Sequence, residues 1–414
     1  MVPVRRDLAL ALLAVATTAC GEGPANPITE LPRPLTSGEA HLVAADNDFA
    51  FRLLAAVAGP DATGNLFISP LSVGMALGMA YNGAAGETAD AMRQTLGFDG
   101  LTLDEINTSY RSLIDLLRGL DPNVEFAIAN SVWYRPDFAL DSAFLDRTAR
   151  YFDAAVRPLD FASPDAAPTI NQWVSDATHG RITEIVDAPI TPDIIAYLIN
   201  AIYFKGTWTH QFPRDATRPG PFHRSDGTTR DVPMMRTSEP IPVQHASTGE
   251  AEVLDLPYGG GAYSMTIVLP APGVALDSLV GTLTQGRWDG WIGALDSTAL
   301  LVTMPRFQLE YEKSLVDALE ALGMKVAFCR NAPALNPDFT AMYPPGGACI
   351  SNVKHKTWVD VNEEGTEAAA VTSVEVGVTS APPSITIDRP FLFAIRERLS
   401  GTILFIGAIA DPGA

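Results

Sequence analysis

The segment from Glu363 to Thr379, EEGTEAAAVTSVEVGVT, constrains this chain more than any other. Every second residue from Thr366 onward (Thr366, Ala368, Ala370, Thr372, Val374, Val376, Val378) is small or apolar. The interleaved residues, Glu367, Ala369, Val371, Ser373, Glu375, Gly377 and Thr379, are mixed and more polar. Such alternation makes a strand with one buried face. Yet the segment opens on Glu363-Glu364-Gly365 and runs into Thr379-Ser380-Ala381-Pro382-Pro383, which has the composition of an exposed loop. One stretch therefore carries the pattern of two states. Alternation alone favours an ordinary sheet strand followed by a proline turn.

Length sets a prior of more than one domain for 414 residues, but no shift in composition marks a boundary. With 47% hydrophobic and 18% charged residues the chain can bury a large core. A formal net charge of -20 excludes nucleic acid, anionic lipid surfaces and heparin-like polyanions as electrostatic partners. Around Gly97–Ser112, Asp99, Asp104 and Glu105 face a single basic residue, Arg111, so no basic stripe is present there. The chain has no G-x-S-x-G, H-E-x-x-H, P-loop or C-x-x-C motif, and its six histidines show no metal-ligand spacing. No metal, no cofactor and no catalytic residue is expected. His355, taken alone, reads as a hydrogen-bonded structural histidine.

Helical spacing predicts helices over Asp48–Val57, Ser69–Asn82, Gly86–Leu96, Asn171 to about Gly180, and Ser314–Leu322, the last stopped by Gly323. Strands are expected at Glu125–Tyr134, Tyr197–Phe204, Tyr263–Leu269 and Trp358–Asn362. Helices and strands mix without βαβ regularity and strands cluster late, which argues an α+β fold with a large, mostly antiparallel sheet.

The N-terminus reads as an export leader. Arg5 and Arg6 precede a short apolar run, Leu8–Val15, too short to span a bilayer. Small residues lead to Cys20, and Thr17-Thr18-Ala19-Cys20-Gly21 resembles a bacterial lipobox, with Thr17 departing from its usual leucine. Lipid on Cys20, or a plain secretory cut near Ala19, are the two expectations, giving an exported protein that is anchored in the cell envelope or extracellular. Residues 1–20 are thus the leader, 21–38 a proline-rich tether, and 39–414 the body. Cys329 and Cys349 either pair as a disulfide or remain two buried thiols.

Several ordered motifs raise the first segment above an ordinary strand. Glu363-Glu364-Gly365-Thr366-Glu367-Ala368-Ala369-Ala370 resembles the reactive-loop hinge of the serpin family. Asn65-Leu66-Phe67-Ile68-Ser69-Pro70-Leu71-Ser72 resembles its NxxxSPxS segment, and Asn200 to Trp208 its strand ending in FKGxW. Asp388–Phe393 and Gly401–Gly407 resemble its C-terminal strands. The likeness runs from about His41 to Pro412.

The resemblance implies a serpin fold of about nine helices and three sheets with an exposed reactive loop, acting as a monomer. It implies a shutter of Ser69, Ser72, Asn200 and His355 beneath the main sheet, and Trp208 at the breach near Glu363. Family spacing from Glu363 places the scissile bond at Thr379–Ser380. The implied function is inhibition of serine proteases: the loop is cleaved and inserts into the main sheet as a new strand. New ladder bonds and buried valines would supply on the order of 10 kcal/mol. Small, uncharged inward residues suit inhibition; a carrier or chaperone of the same family is the alternative, with bulky or charged residues expected there. Val376-Gly377-Val378-Thr379 suits the shallow pockets of elastase-like or subtilisin-like proteases and offers no Arg or Lys to a trypsin-like site.

Overall fold

The structure, a computed structural model, describes residues 27–59, 64–366 and 382–413. The sequence places Cys20, Glu367, Ala368, Ala369, Ala370, Thr379 and Ser380 in functional roles; all seven lie outside the described residues.

Two bodies of strand carry the fold. The first is a six-stranded sheet: β11 (Phe307–Ser314), β12 (Lys354–Asn362), β13 (Gly365–Thr366), β4 (Ala196–Thr207), β2 (Val124–Tyr134) and β3 (Ala154–Pro158), in that spatial order. β12 and β4 both pair antiparallel to β13 and so run parallel to each other. The second is a mostly antiparallel array: β1 (Leu66–Ile68), β16 (Ile403–Ile409), β15 (Phe391–Glu397), β9 (Tyr263–Pro270), β8 (Ala251–Tyr258), β7 (Ile241–Ser247), β10 (Asp296–Pro305), β6 (Thr229–Arg236) and β5 (Arg218–His223). β14 (Ser384–Thr386) adds in parallel to β10. β10 belongs to two sheets: Asp296–Leu300 pairs with β7 and Thr303–Pro305 with β6. The expected α+β architecture with three sheets is what the chain adopts.

β9, β15 and β16 are buried along their whole length. Apolar residues therefore fall on both faces of these strands, and among the polar exceptions Ser264, Thr266 and Arg396 pair with the buried Asp255. Helix α1 (Ser37–Ala58) starts eleven residues earlier than helical spacing alone predicts, at a capping box in which Thr36 and Glu39 satisfy each other's backbone N–H groups. α2 (Pro70–Tyr81) and α3 (Gly86–Leu96) fall where the spacing places them. α4 (Leu103–Leu117) and α5 (Ser142–Phe152) were not expected. α6 (Ala166–Ala177) begins before Asn171 and lies on the outer face of the six-stranded sheet. There Ile170 and Val174 join Trp133, Ile199 and Ala201 in a second, smaller core. The helix expected over Ser314–Leu322 covers Val316–Leu319 and widens into a π-helical turn over Glu320–Met324, where Gly323 takes φ 117°. The main core fills the space between the six-stranded sheet, α1, α2 and the buried strands β9, β15 and β16.

Candidate functional site: the top and centre of the six-stranded sheet

At the centre, Ser69 caps α2. Its Oγ accepts from the Ser72 N–H at 3.3 Å and donates to the Leu404 carbonyl at 2.7 Å. The Ser69 N–H donates to His355 Nε2 at 3.0 Å. Burial pushes the His355 imidazole down to about 4. It is therefore neutral at ordinary pH, with Nε2 as acceptor. Ser72 Oγ donates to the Asn200 carbonyl at 3.4 Å, and Asn200 Nδ2 donates to Asn130 Oδ1 at 2.8 Å. Ser69, Ser72, Asn200 and His355 thus come together, joining α2 to β4 and β12. Asn130 on β2 and Thr357, whose Oγ1 donates to the Phe67 carbonyl at 2.6 Å, extend the network and were missed from sequence. An asparagine inside a strand pattern was the available signal for Asn130. Because the Ser69 hydroxyl proton is committed to Leu404, Ser69 and His355 do not form a nucleophile–base pair. The network ties α2 and its N-cap to β12, β16 and β4, and β4 to β2.

At the top, Trp208 is buried and stacks on Tyr258 with ring centroids 4.3 Å apart. Its Nε1 donates to the Asn362 carbonyl at 2.9 Å and its N–H to the Glu364 carbonyl at 2.8 Å. The Phe212 N–H donates to the Glu363 carbonyl at 2.9 Å. Both glutamates, 5% and 4% exposed, keep partners. Thr217 Oγ1 donates to Glu363 Oε1 at 2.8 Å, Arg306 stands 3.9 Å away, and Arg214 is ion-paired with Glu364. Burying two carboxylates side by side is costly unless each is paired, so this end of the sheet is built around them. Arg214, Thr217 and Arg306 were not foreseen; no local pattern marks them, because their partners lie far along the chain.

Gly365 and Thr366 then leave this cluster and enter the sheet. Gly365 pairs with Asn362 and Thr207; Thr366 pairs with Val361 and Gly206. Gly365 has φ 150°, and a Cβ there would lie 2.1 Å from the Gly206 carbonyl oxygen, so glycine alone fits. Thr366 is 2% exposed and its Oγ1 shares a 2.8 Å hydrogen bond with Tyr258 OH. Among the described residues, β4 and β12 are joined as sheet neighbours only through this two-residue strand. Below it, Ala196–Ile202 of β4 and Lys354–Thr357 of β12 line one cavity.

The family described as Serpin (serine protease inhibitor) matches residues 44–412. The chain belongs to the serpin family. It is 32% identical over 412 residues to intracellular coagulation inhibitor 2 of Tachypleus tridentatus, covering 98% of each chain. It is 34% identical over 382 residues to the leukocyte elastase inhibitor of Bos taurus, covering 90% of this chain and 99% of that one. Among solved structures, the native state of Tengpin, a thermophilic serpin, superposes with a TM-score of 0.79 at 29% identity, covering 94% and 97% of the two chains.

Away from the sheet's top, Cys329 and Cys349 of this serpin are joined in a disulfide with Cα atoms 5.0 Å apart, which settles the alternative left open by the sequence. No described helix is long and apolar enough to cross a membrane, and no metal-binding cluster occurs among the described residues.

Proposed function

We propose that this serpin inhibits serine proteases as a suicide substrate. The carrying observation is Gly365–Thr366, seated as the first rungs of a strand between β12 and β4. With Thr366 facing the core, the period-2 rule assigns Ala368, Ala370, Thr372 and Val374 to the same face as insertion proceeds. All are small enough to pass between parting strands, and none carries a charge. Family spacing puts the scissile bond at Thr379–Ser380. The protease serine attacks the Thr379 carbonyl carbon, the Thr379–Ser380 C–N bond breaks, and the leaving amine of Ser380 takes the proton. The protease then remains esterified to Thr379 while the loop enters the sheet between β12 and β4 and drags it along. The small residues before the bond favour elastase-like or subtilisin-like enzymes. The leader and Ala19-Cys20 support export with a lipid anchor on Cys20.

Incubation with an elastase-like protease should give an SDS-stable complex and a released C-terminal peptide beginning at Ser380. A peptide starting more than two residues away sinks the assignment of the bond. Turnover without complex by every protease tested sinks the inhibitory reading.

A further inference from the structure

The first described residues of the chain are fastened to the body. The Ile28 N–H donates to the Gly260 carbonyl at 2.8 Å, and the Ile28 side chain packs against the main core. Arg33 donates twice to the buried Glu39 carboxylate, at 2.6 and 2.8 Å, and once to Ser112 Oγ at 2.7 Å. The segment between them is therefore held at both ends.

Gly260 lies on the turn between β8 and β9, and that turn belongs to the hinge end of the sheet. The Gly259 N–H donates to the Thr207 carbonyl at 2.7 Å, and Thr209 Oγ1 donates to the Gly259 carbonyl at 2.9 Å. Tyr258, two residues before Gly260, holds Thr366. The N-terminal segment and the start of the reactive loop are fixed to one turn.

Chain length then restricts where a membrane can be. From Cys20 to Pro27 there are seven Cα–Cα steps (27 − 20), which reach at most about 25 Å. β4, running from Ala196 at the far end to Thr207 at the hinge end, is roughly 36 Å long. The leash is shorter than the sheet is tall. We propose, resting on the lipid anchor proposed above, that the body stands on the membrane with its hinge end toward the lipid. A protease then meets and cleaves the reactive loop in the layer next to the bilayer before insertion carries it down the sheet, so the enzymes trapped are those that work at the surface. The net charge of -20 gives the body no attraction of its own to anionic lipid, so the leash sets the orientation.

The chain has three cysteines, and two form the disulfide. Protein beginning at Cys20 therefore has one free thiol, which can be coupled to maleimide lipid in phosphatidylcholine vesicles whether or not a cell acylates it. A donor dye is attached through an azide-bearing residue at position 215, beside Arg214 at the hinge end, or at position 193, below the start of β4. Both positions are exposed. Energy transfer to headgroup-labelled lipid should be severalfold greater from 215 than from 193. Inserting twenty Gly/Ser residues between positions 26 and 27, or combining Ile28→Asp with Arg33→Ala, should bring the two to equality. Equal transfer in the unaltered chain, or greater transfer from 193, overturns the orientation. A difference that persists with the long spacer overturns the leash as its cause. Absence of an acyl chain on Cys20 of cell-derived protein overturns the anchor itself, whatever the vesicles show.

Discussion

Two buried titratable residues act against each other as pH changes. Burial pushes the Asp46 carboxyl up to about 7, only partly offset by the hydrogen bond it accepts from Tyr110 OH at 3.0 Å. Its folded value lies above its ordinary 3.8, so the stability it contributes is present at low pH and lost as pH rises from about 4 to 7. His355 is depressed from 6.5 to about 4, so its contribution is present above 6.5 and lost as pH falls toward 4. Each effect integrates to roughly 3–4 kcal/mol, and over the shared window they nearly cancel. Urea midpoints measured from pH 4 to 6.5 should therefore show opposite deviations from wild type. Removing one of the cancelling pair, Asp46→Asn should leave a rise of stability with pH, and His355→Gln should leave a fall. Absence of a deviation for either variant would mean that its group titrates normally. At the hinge, Arg214→Ala leaves the Glu364 carboxylate buried without its ion pair, which disfavours the docked position of Gly365–Thr366. The moles of inhibitor consumed per mole of protease should rise severalfold in a titration of residual activity, and adding Glu364→Gln should restore much of the loss. An unchanged stoichiometry for Arg214→Ala would show that the pair is decoration.

Insertion is a property of one element, the strand that Gly365 and Thr366 begin. Thr366→Arg puts a charge where the side chain is 2% exposed and faces Tyr258 OH, a cost of several kcal/mol for an unpaired buried charge. The expected outcome is a folded protein that proteases cleave without forming a complex, read on a denaturing gel beside far-UV circular dichroism. Retained complex formation rules out insertion through this residue. Of the period-2 segment that begins at Thr366, only Thr366 itself, with the glycine before it, lies among the described residues, and both sit in the sheet where that local pattern places a strand. Ser69, Ser72, Asn200 and His355 were legible only through resemblance, since the bonds among them join residues as far apart as 69 and 355. Elements decided by caps were missed or shortened. The Thr102–Glu105 capping box starts α4 and the Asp141 cap starts α5, and both were present in the sequence for a search on caps rather than on apolar spacing. The cluster of Arg214, Thr217 and Arg306 was not legible at all, because only the fold brings it to Glu363 and Glu364.

At the scale of the whole molecule, the described sheet is a frame about a strand position that Gly365–Thr366 begins. β4 and β12 run parallel, with Gly365–Thr366 between their upper ends. A strand that continues from Thr366 between them would pair its backbone donors and acceptors with both. An intact loop is restrained at both ends, by Thr366 in the sheet and by β14, which starts at Ser384 on β10. Cutting between Val374 and Ser380 frees the upstream arm from β14 while leaving it joined to Thr366. The arm can then descend between β4 and β12, exchanging solvent bonds for ladder bonds on both sides and burying Thr372 and Val374 on the core face. At about 0.5–1.5 kcal/mol per hydrogen bond, some ten such bonds amount to about 5–15 kcal/mol, comparable with the whole stability of an ordinary domain. The nicked protein should therefore melt far above the intact one, by tens of degrees, with both fragments still associated. Differential scanning calorimetry before and after limited proteolysis measures this directly. Coincident melting temperatures would show that the intact chain already occupies its lowest state, and would leave the trapping reaction without a driving force.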